Sequence, residues 1–417
     1  MSLREQVLSS VLSPELQLAE LKRGVVDLHV EKELLERLRE GRPLIVKAGF
    51  DPTRPDLHLG HTVVMNKMRQ FQDLGHEVVF VVGNFTAKIG DPSGRSQTRP
   101  VPTSSELEEG AKSYADQAFK ILDAGKTRIA FNDDWLGKMR FDDVIRLAGQ
   151  YTLARMMERD DFKQRYATGQ SISLHELLYP LAQAYDSVEL ACDIELGGTD
   201  QLFNLVVGRE IMRGFGQRPQ IVMTTPLLEG LTAREENGKI VGDKMSKTLD
   251  NYVGVTEAPK EQFGKLMSIS DALMWRYYEL LSDVPMSEIT ARRQACATAE
   301  LNPKDAKVAL AKEIVARYHD ETAADEAANA WESQFSRRET PAELPERTVQ
   351  VDGEEIWLPK ALALAGLVPS SSDGRRRVEQ GAVQIDGKLV TDVKLTLKRG
   401  RYVIRAGKRA WATVVLK

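Results

Sequence analysis

The 417-residue sequence is poor in cysteine and aromatic residues, and it contains no long apolar run. Its two cysteines, Cys192 and Cys296, lie far apart and lack the spacing of metal ligands, which argues against disulfides and against a metal site. No signal peptide and no stretch of about 18 apolar residues is present, so we expect neither export nor membrane insertion. These absences predict a protein of the reducing cytoplasm, with two or three globular domains for its length.

Charge is unevenly distributed along the chain. Residues Ile356 to Lys417 contain 13 basic and 4 acidic side chains, for a net charge of +9. The first 355 residues carry −13, so the overall charge of −4 conceals a small basic module on an acidic body. Such a module favours a polyanionic partner, most simply nucleic acid, although a basic surface without a partner is the plainer alternative.

The most informative stretch is Asp51-Pro-Thr-Arg-Pro-Asp-Leu-His58-Leu-Gly60-His61. An apolar, strand-like segment at 43–50 precedes it, and apolar residues at helical spacing follow over 62–74. The start of a helix presents unpaired N–H groups and the positive end of the macrodipole, and both favour an anion. Gly60 lets a ligand approach the backbone closely. The stretch therefore predicts a nucleotide site with phosphates over the helix start, unless two histidines merely fall in a turn.

A second motif, Lys244-Met245-Ser246-Lys247-Thr248, lies about 180 residues further on. Polar residues and glycines surround it, which predicts a mobile loop. Two ammonium groups on such a loop can close over a triphosphate and stabilise the charge that develops on departing pyrophosphate. Alone, two lysines at this spacing are usually a solvated surface. Together, the HLGH and KMSKT motifs resemble the two signatures of class I aminoacyl-tRNA synthetases.

Three further segments carry polar residues at predicted strand ends or on one helix face. Asp91 lies in the glycine-rich turn Ile89-Gly-Asp-Pro-Ser-Gly94, after a predicted strand at 78–83. Tyr179, Gln183 and Asp186 recur at i, i+4 and i+7, so they share one helix face and are a plausible lining for a polar aromatic substrate. A turn-stabilising aspartate and a surface helix are the plainer alternatives. The third segment is Gly197-Gly-Thr-Asp-Gln201.

The five segments occur in the order found in bacterial tyrosyl-tRNA synthetases, and the resemblance covers nearly the whole chain. The family resemblance implies that ATP is a substrate, accompanied by Mg²⁺ without a dedicated protein metal site. Tyrosine attacks the α-phosphate of ATP to give tyrosyl-adenylate and pyrophosphate, and the tyrosyl group then passes to the 3′ end of tRNA(Tyr). The resemblance also implies a homodimer. The segment from Gly366 to Val390 resembles an S4 RNA-binding domain.

The same resemblance implies a role for each matching residue. It assigns catalysis to the motif histidines and lysines and to three further residues: His58, His61, Lys244, Lys247, Thr53, Arg95 (where the family often has lysine) and Arg99. It assigns ATP binding to Asp51, Gly60, Gly198, Asp200, Met245 and Ser246. It assigns tyrosine binding to Asp91, Asn132, Tyr179, Gln183, Asp186 and Gln201, and we add Lys47 to this group as a hypothesis of our own. Arg375, Arg376 and Arg377 are expected to contact RNA phosphates.

Lys47 is a departure from the family pattern. Better-known members have tyrosine at this position, where its hydroxyl meets the phenol of the substrate. We expect Asp186 to accept a hydrogen bond from that phenol. A buried lysine beside Asp186 could pair with it and also donate to the phenol oxygen, and this is our hypothesis for Lys47.

We expect an α/β protein with a Rossmann-type parallel sheet, a helical insertion, an α-helical domain and a small α+β S4-like domain. The predicted divisions are an N-terminal helical segment at 1–42, a catalytic domain at 43–250 with its insertion at about 104–170, a helical anticodon-region domain at 251–335, a linker at 336–353 and the S4-like domain at 354–417. The nearest alternative is a tryptophanyl-tRNA synthetase, and Asp186 and the S4-like tail argue against it. A simple nucleotidyltransferase would not need KMSKT and a basic module. A catalytically silent, synthetase-derived RNA-binding protein is disfavoured by the intact histidines and lysines.

Overall fold

The computed structural model describes residues 12–52, 57–92, 104–335, 344–351, 353–407 and 410–417. The chain forms two compact units, which divide after Trp331. The first unit is built on a six-stranded sheet covered by helices, and the second is a small α+β unit. The predicted fold class is confirmed.

The large sheet has the strand order β1-β6-β5-β2-β3-β4. Its strands are β1 Asp27–His29, β2 Ile45–Phe50, β3 Glu77–Val82, β4 Thr127–Phe131, β5 Ile194–Gly198 and β6 Ile221–Thr225. All neighbours are parallel except β1, which runs antiparallel to β6. The side chains of Val46, Phe80, Ile194 and Ile221 are fully buried, as expected for parallel strands with both faces covered. A hairpin of β7 Arg234–Glu236 and β8 Lys239–Val241 lies outside this sheet.

Helices surround the large sheet and extend beyond it in sequence. Those up to the sixth strand are α1 Pro14–Leu21, α2 Glu31–Arg39, α3 Leu59–Asp73, α4 Thr86–Ile89, α5 Ser104–Ala118, α6 Asp133–Leu136, α7 Phe141–Ala148, α8 Leu153–Met156, α9 Asp160–Ala167, α10 Tyr179–Glu189 and α11 Leu202–Gly214. Those that follow are α12 Pro259–Ser268, α13 Asp271–Leu281, α14 Met286–Ala297, α15 Pro303–Tyr318 and α16 Glu321–Phe335. In the described part of the chain, no helix is long and apolar enough to cross a bilayer.

Two strands of the sheet lie where the sequence analysis expected helices. Strand β1 belongs to the N-terminal segment that was predicted to be helical, and β4 lies inside the predicted helical insertion. Both predictions were wrong at these positions. Strand β1 has three residues and β4 has five. Such short segments do not contain enough residues for the alternation of a strand to be recognised between helical patterns. Strand β1 is in the sheet because it pairs with β6, and β4 because it pairs with β3. Neither partner is adjacent to its strand in the sequence.

The helices after the KMSKT motif share one buried core with the sheet. Tyr277 and Tyr278 of α13 are fully buried, and they belong to the same apolar cluster as Val46 of β2 and Met68 of α3. The phenol of Tyr277 donates to the carbonyl oxygen of Glu229 at 2.8 Å. The predicted catalytic and helical domains are therefore packed as one body in the described residues, and the boundary at 250/251 stays a prediction about function.

The described residues of the second unit from position 344 onward form two helices and two small sheets. The helices are α17 Leu358–Leu364 and α18 Ser371–Glu379. Strands β9 Glu346–Val349, β11 Val383–Ile385, β12 Lys388–Val390, β14 Gly400–Ala406 and β15 Ala410–Leu416 form a sheet in the order β12-β11-β14-β15-β9, and β10 Glu355–Trp357 pairs with β13 Thr396–Lys398. Leu358, Leu362, Val378 and Ile404 are buried in its own core.

Strand β9 corrects the predicted linker at 336–353. Residues 346–349 pair in parallel with β15 and are part of the sheet of the second unit. The sequence of this strand is Glu-Arg-Thr-Val, and it lies at the edge of the sheet. Its first three residues are exposed to water, so its composition does not differ from that of a loop. The other part of the predicted linker lies largely outside the described residues.

Candidate active site

A cavity of about 380 Å³ opens at the carboxyl ends of the parallel strands. Asp51 follows β2, Gly83 follows β3 and Gly198 ends β5, and all three line the cavity. Ligands of open parallel sheets bind at this edge because the loops there diverge and helix starts converge on it. Met245 and Ser246 of the KMSKT motif also line the cavity.

The two motif histidines cap the start of α3. His58 is the N-cap residue, and its Nδ1 accepts a hydrogen bond from the N–H of Gly60 at 3.2 Å. The Nδ1 of His61 accepts from the N–H of His58, also at 3.2 Å, so the two side chains form a reciprocal capping box. The rings lie 3.9 Å apart between centroids. The two histidine side chains thus accept hydrogen bonds from N–H groups at the start of the helix. The same contacts hold both rings at the wall of the cavity.

Both imidazoles are neutral, and their proton position follows from these contacts. Burial lowers the pKa of His58 to about 2 and that of His61 to about 4, and the charge of Lys247 acts in the same direction. Because each Nδ1 accepts a backbone N–H, the proton of each neutral ring is on Nε2. Each ring therefore has an N–H donor available for an anionic group in the cavity. Protonation becomes relevant only as the pH falls towards these low values.

The side chain of Asn251 binds the KMSKT segment at two points, and the N–H of Met245 also donates to the carbonyl of Leu228 at 2.7 Å. The side-chain oxygen of Asn251 accepts from the N–H of Ser246 at 2.7 Å, and its amide nitrogen donates to the carbonyl of Lys244 at 3.2 Å. The ammonium group of Lys244 lies 3.2 Å from Asp200, and that of Lys247 lies 5.8 Å from the ring centroid of Tyr252. Lys244 and Asp200 are solvent-exposed, so their pairing contributes little stability and leaves the lysine able to exchange partners.

Asp186 lies deep in the cavity with two fixed donors. The indole N–H of Trp135 donates to its Oδ1 at 2.8 Å, and the amide of Asn132 donates to its Oδ2 at 3.3 Å. Asp186 is 3% exposed, and burial raises its pKa to about 6 while the charge of Lys47 opposes that shift. A carboxylate accepts about four hydrogen bonds, so Asp186 keeps acceptor capacity for a hydroxyl group in the cavity.

A second group of acceptors lies nearer the loop that carries Asp91. The side-chain amide of Gln201 donates to Asp91 Oδ2 at 2.8 Å, and the guanidinium of Arg159 lies 3.4 Å from Asp91 Oδ1. The buried Arg159 also donates to Asn204 at 2.8 Å. Asp91, Gln201 and Gln183 all line the cavity. Carboxylate and amide oxygens converging on one place suit an ammonium group.

Asp51 was expected to bind ATP. In the structure its side chain lines the cavity and contacts α10 and α4. It accepts from the hydroxyl of Tyr179 at 2.9 Å and from that of Thr86 at 2.7 Å. Burial raises the pKa of Asp51 to about 7, although the hydrogen bond from Thr86 lowers it. The hydroxyl of Tyr179 is thereby oriented with its oxygen lone pairs free to accept from a cation in the cavity.

Gly198 provides close approach to the backbone, as expected for a nucleotide site. A Cβ atom at this position would lie 2.7 Å from Asp200 Oδ1 and 3.0 Å from Leu227 Cδ2. At Gly60, a Cβ atom would lie 2.9 Å from the His58 ring. Side chains at either position would therefore displace groups that line the cavity.

Lys47 does not pair with Asp186, so that hypothesis was wrong. Its ammonium group lies 3.1 Å from Glu195 Oε1 and donates to the carbonyl of Gln183 at 3.2 Å. Burial alone would lower the pKa of Lys47, but Glu195 and Asp186 raise it above its ordinary value. Lys47 and Glu195 are register partners on β2 and β5, so the sheet itself places them side by side. Neither of them lines the cavity.

Three predicted catalytic residues, Thr53, Arg95 and Arg99, lie outside the described residues. Of the three arginines predicted to contact RNA, Arg375 and Arg376 are exposed on α18. Arg377 instead donates to the carbonyl of Ala406 at 2.6 Å and holds α18 against β14. Its role within the second unit is thus at least partly structural.

Sequence reasoning missed four residues that contact the lining of the cavity: Trp135, Thr86, Arg159 and Glu195. Trp135 lies three residues after Asn132, and of these two residues only Asn132 was expected to bind the substrate. Glu195 is a charged residue in an otherwise apolar strand, and this was an available signal, because a buried carboxylate needs partners. Thr86 and Arg159 carry no local signal, since their partners are distant in sequence.

Among the described residues, no cluster of three or more histidine, cysteine, aspartate or glutamate side chains is arranged to hold a metal ion. The donors around the cavity are instead N–H groups and ammonium groups on one side and carboxylates on the other. The first set suits the phosphates of a nucleotide, and the second suits an ammonium group and a hydroxyl group.

The sequence and the fold match a known class of protein. The family model for tRNA synthetases class I (W and Y) matches residues 39–336, and the S4 domain model matches residues 356–401. Two solved structures support the fold alone. A truncated mitochondrial tyrosyl-tRNA synthetase of Aspergillus nidulans has a TM-score of 0.64, with 22% identity and coverage of 79% of this chain and 97% of its own. A tyrosyl-tRNA synthetase of Archaeoglobus fulgidus, complexed with L-tyrosine, has a TM-score of 0.61, with 19% identity and coverage of 76% and 100%.

Curated relatives narrow the class. A tyrosine–tRNA ligase of Coxiella burnetii is 51% identical over 97% of this chain and 99% of its own length. One of Geobacter sulfurreducens is 52% identical over 95% and 98%, respectively. The chain belongs to the bacterial tyrosine–tRNA ligase family.

Proposed function

We propose that the chain joins L-tyrosine to tRNA(Tyr) in two steps at the cavity described above. It is an aminoacyl-tRNA synthetase that uses ATP and releases AMP and pyrophosphate. One observation carries the assignment of substrates to the cavity. A buried carboxylate with two fixed donors, Asp186, lies in the same cavity as the paired histidines of the α3 start. The cavity therefore has acceptors for the phenol and ammonium groups of tyrosine and donors for phosphate.

In the first step, a carboxylate oxygen of tyrosine attacks the α-phosphorus of ATP. The new O–P bond forms as the bond to the bridging oxygen of the β-phosphate breaks, and pyrophosphate leaves. We assign the Nε2–H groups of His58 and His61 and the ammonium groups of Lys244 and Lys247 to the charge that develops on the departing phosphates. Thr53, Arg95 and Arg99 keep the catalytic roles expected from the sequence.

The amino-acid end is assigned from the contacts of the carboxylates. Asp186 accepts from the phenol, with Trp135 and Asn132 holding it in place. Asp91, Tyr179 and Gln183 accept from the α-ammonium group, and Gln201 orients Asp91. Met245, Ser246, Gly60, Gly198 and Asp200 form the nucleotide side, and Asp51 acts by orienting Tyr179.

Mg²⁺ is proposed as the partner of the ATP phosphates, where it would neutralise charge. Its ligands would come mainly from the phosphates and water. Asp200 lies 3.2 Å from the ammonium group of Lys244, which places one carboxylate beside a proposed phosphate-binding lysine. We also propose a cytoplasmic location, which suits a protein with two free cysteines.

In the second step, a hydroxyl of the 3′ adenosine of tRNA attacks the carbonyl carbon of tyrosyl-adenylate, and AMP leaves. The second unit is proposed to bind RNA through exposed basic residues such as Arg375 and Arg376, which would contact phosphates. Attachment of labelled tyrosine to tRNA(Tyr) by the purified chain tests the complete function. A protein that binds this tRNA but forms no tyrosyl-tRNA would contradict the assignment.

We propose a homodimer formed through the insertion between β4 and α10. Among the described residues of the insertion, the most exposed large apolar side chains are Phe141, Ile145, Leu153, Tyr166 and Leu174, at 79%, 59%, 64%, 76% and 83%, respectively. Phe141 and Ile145 lie one turn apart on α7, so they share a face. Exposed apolar residues concentrated in one segment are typical of an interface.

Replacing both Phe141 and Ile145 with aspartate is expected to convert the dimer into a monomer. Each subunit would then bring two charges into the interface, where they would lose their hydration. Sedimentation equilibrium measures this directly, with the wild type at twice the mass of one chain. Leu389→Asp, at a 59% exposed leucine of the second unit, is the matched control and should leave the mass unchanged. A monomeric wild type, or a double variant that stays dimeric, contradicts the proposed surface.

A further inference from the structure

Behind the amino-acid end of the cavity lies a buried polar cluster that the assigned mechanism does not use. At its centre is Glu195 of β5, which is 2% exposed. Its Oε1 lies 3.1 Å from the ammonium of Lys47 and 3.4 Å from the amide nitrogen of Gln183. Its Oε2 accepts from the hydroxyl of Ser187 at 2.9 Å and from the amide of Gln220 at 2.7 Å. Four donors use the full acceptor capacity of one carboxylate.

The carboxylate determines which way the amide of Gln183 points. An ionised carboxylate only accepts hydrogen bonds, so the side of Gln183 that faces Glu195 has to be its NH₂ group. The carbonyl oxygen of the Gln183 side chain is then the polar atom left for the cavity, which Gln183 lines. With the opposite orientation, Gln183 would present donors to the substrate ammonium group, and the two would repel each other.

Lys47 makes this arrangement tenable in the interior. A carboxylate as buried as Glu195 needs a compensating charge, and Lys47 is 1% exposed and directly across the strand pair. The same ammonium group donates to the backbone carbonyl of Gln183 at 3.2 Å. Lys47 and Glu195 therefore hold Gln183 at two points, its backbone and its side chain, while neither of them lines the cavity.

We infer that Lys47 and Glu195 are positioning residues for the substrate ammonium group, acting through the side chain of Gln183. The inference rests on the proposed function, in which Gln183 accepts from that ammonium group. It replaces the expectation that Lys47 recognises the phenol. The pair acts on tyrosine binding, and it is separate from the phosphate-binding groups on α3 and the KMSKT segment.

Two double variants separate positioning from simple structural support. Lys47→Met/Glu195→Met removes the ion pair and the carboxylate that accepts from the Gln183 amide. Lys47→Met/Glu195→Gln also removes both charges but keeps one amide oxygen to accept from Gln183. We expect the first to raise KM for tyrosine by about tenfold or more, with KM for ATP unchanged. The second should recover most of the tyrosine affinity. Ser187→Ala, which removes a donor on the far oxygen of Glu195, is the matched control and should bind tyrosine normally.

The affinities of two small ligands measure the contribution of the ammonium contact to binding, without catalysis. Tyramine has the phenol and the ammonium group, whereas 4-ethylphenol has the phenol alone. Calorimetry should show that the wild type prefers tyramine, that Lys47→Met/Glu195→Met loses this preference, and that 4-ethylphenol binds both proteins equally. If the methionine variant does not fold, as judged by its melting curve, Lys47→Val/Glu195→Val takes its place, since valine suits a buried parallel strand.

The outcomes distinguish the inference from the proposed function. A folded variant without an acceptor at position 195 that keeps the wild-type preference for tyramine overturns the positioning role. Equal losses in the Glu195→Met and Glu195→Gln backgrounds also overturn it, because the hydrogen bond to Gln183 would then be irrelevant. A wild-type protein that binds tyramine no better than 4-ethylphenol contradicts the ammonium site of the proposed function instead.

Discussion

Asp186→Asn is expected to raise KM for tyrosine by about 10- to 100-fold, since a hydrogen bond to a charged group contributes about 1.5–3 kcal/mol. The expected loss of tyrosine affinity follows from the two donors that bind the carboxylate, because both remain in the variant. Trp135 and Asn132 each direct an N–H at one oxygen of Asp186. An asparagine has only one acceptor oxygen, so its NH₂ group would face either a donor of the protein or the phenol hydroxyl.

Phenylalanine is the matched substrate for this variant. Because it lacks the hydroxyl group, its activation should change much less than that of tyrosine on Asp186→Asn. The ratio of kcat/KM for tyrosine to that for phenylalanine, measured by pyrophosphate exchange, should therefore fall by the same factor as the tyrosine affinity. Parallel losses for both substrates would place Asp186 in a purely structural role.

The pH dependence of KM provides a second check on Asp186. Its pKa of about 6 is raised by burial, so the carboxylate becomes protonated as the pH falls through 6. The wild type should then bind tyrosine less well below pH 6, and Asp186→Asn should lack this limb. The raised pKa also means that ionised Asp186 lowers folding stability, and this cost grows as the pH rises from about 4 to 6. The contributions of Asp186 to tyrosine binding and to folding stability should therefore change in opposite directions over this range.

His58→Asn is expected to lower kcat for tyrosine-dependent exchange by about 10²–10³-fold, the typical cost of removing one preorganised donor from a developing anion. Asparagine is a favourable N-cap residue, so the contact to the N–H of Gly60 can be kept while the Nε2–H donor is lost. KM for tyrosine should be unchanged, because His58 belongs to the phosphate side of the cavity.

His58→Ala separates the two functions of this histidine. Alanine removes the donor and the cap together, which should lower stability by about 1 kcal/mol in addition to the loss in rate. The melting temperature should therefore fall for alanine but not for asparagine, while both lose kcat. An asparagine variant with wild-type kcat would show that the histidine acts only as a helix cap.

Local sequence patterns predicted the parts of the site that depend on local structure. The HLGH motif was expected where a strand meets a helix, and the structure places it there, whereas the capping contacts of His58 and His61 were not predicted. The helical spacing of Tyr179, Gln183 and Asp186 correctly placed them on one helix that lines one cavity. Such features need only a few neighbouring residues, so the sequence contains enough information to recognise them.

Pairing between distant segments was not predictable in this way. Lys47 was expected to pair with Asp186, but the register of β2 and β5 places it beside Glu195, nearly 150 positions away. A lysine in an apolar strand predicts only that some buried acceptor exists, and Asp186 and Glu195 are both chemically suitable. Strands β1 and β9 were missed for a related reason, since short edge strands are determined by their partners and not by their own pattern.

The most direct test of the central claim is pyrophosphate exchange into ATP by the wild-type chain, with tyrosine, phenylalanine and tryptophan run in parallel and without tRNA. The account predicts exchange with tyrosine and little or none with the other two, because Asp186 requires a hydroxyl partner at the depth of the phenol. Exchange that is as fast with tryptophan, or absent with all three amino acids, would contradict it.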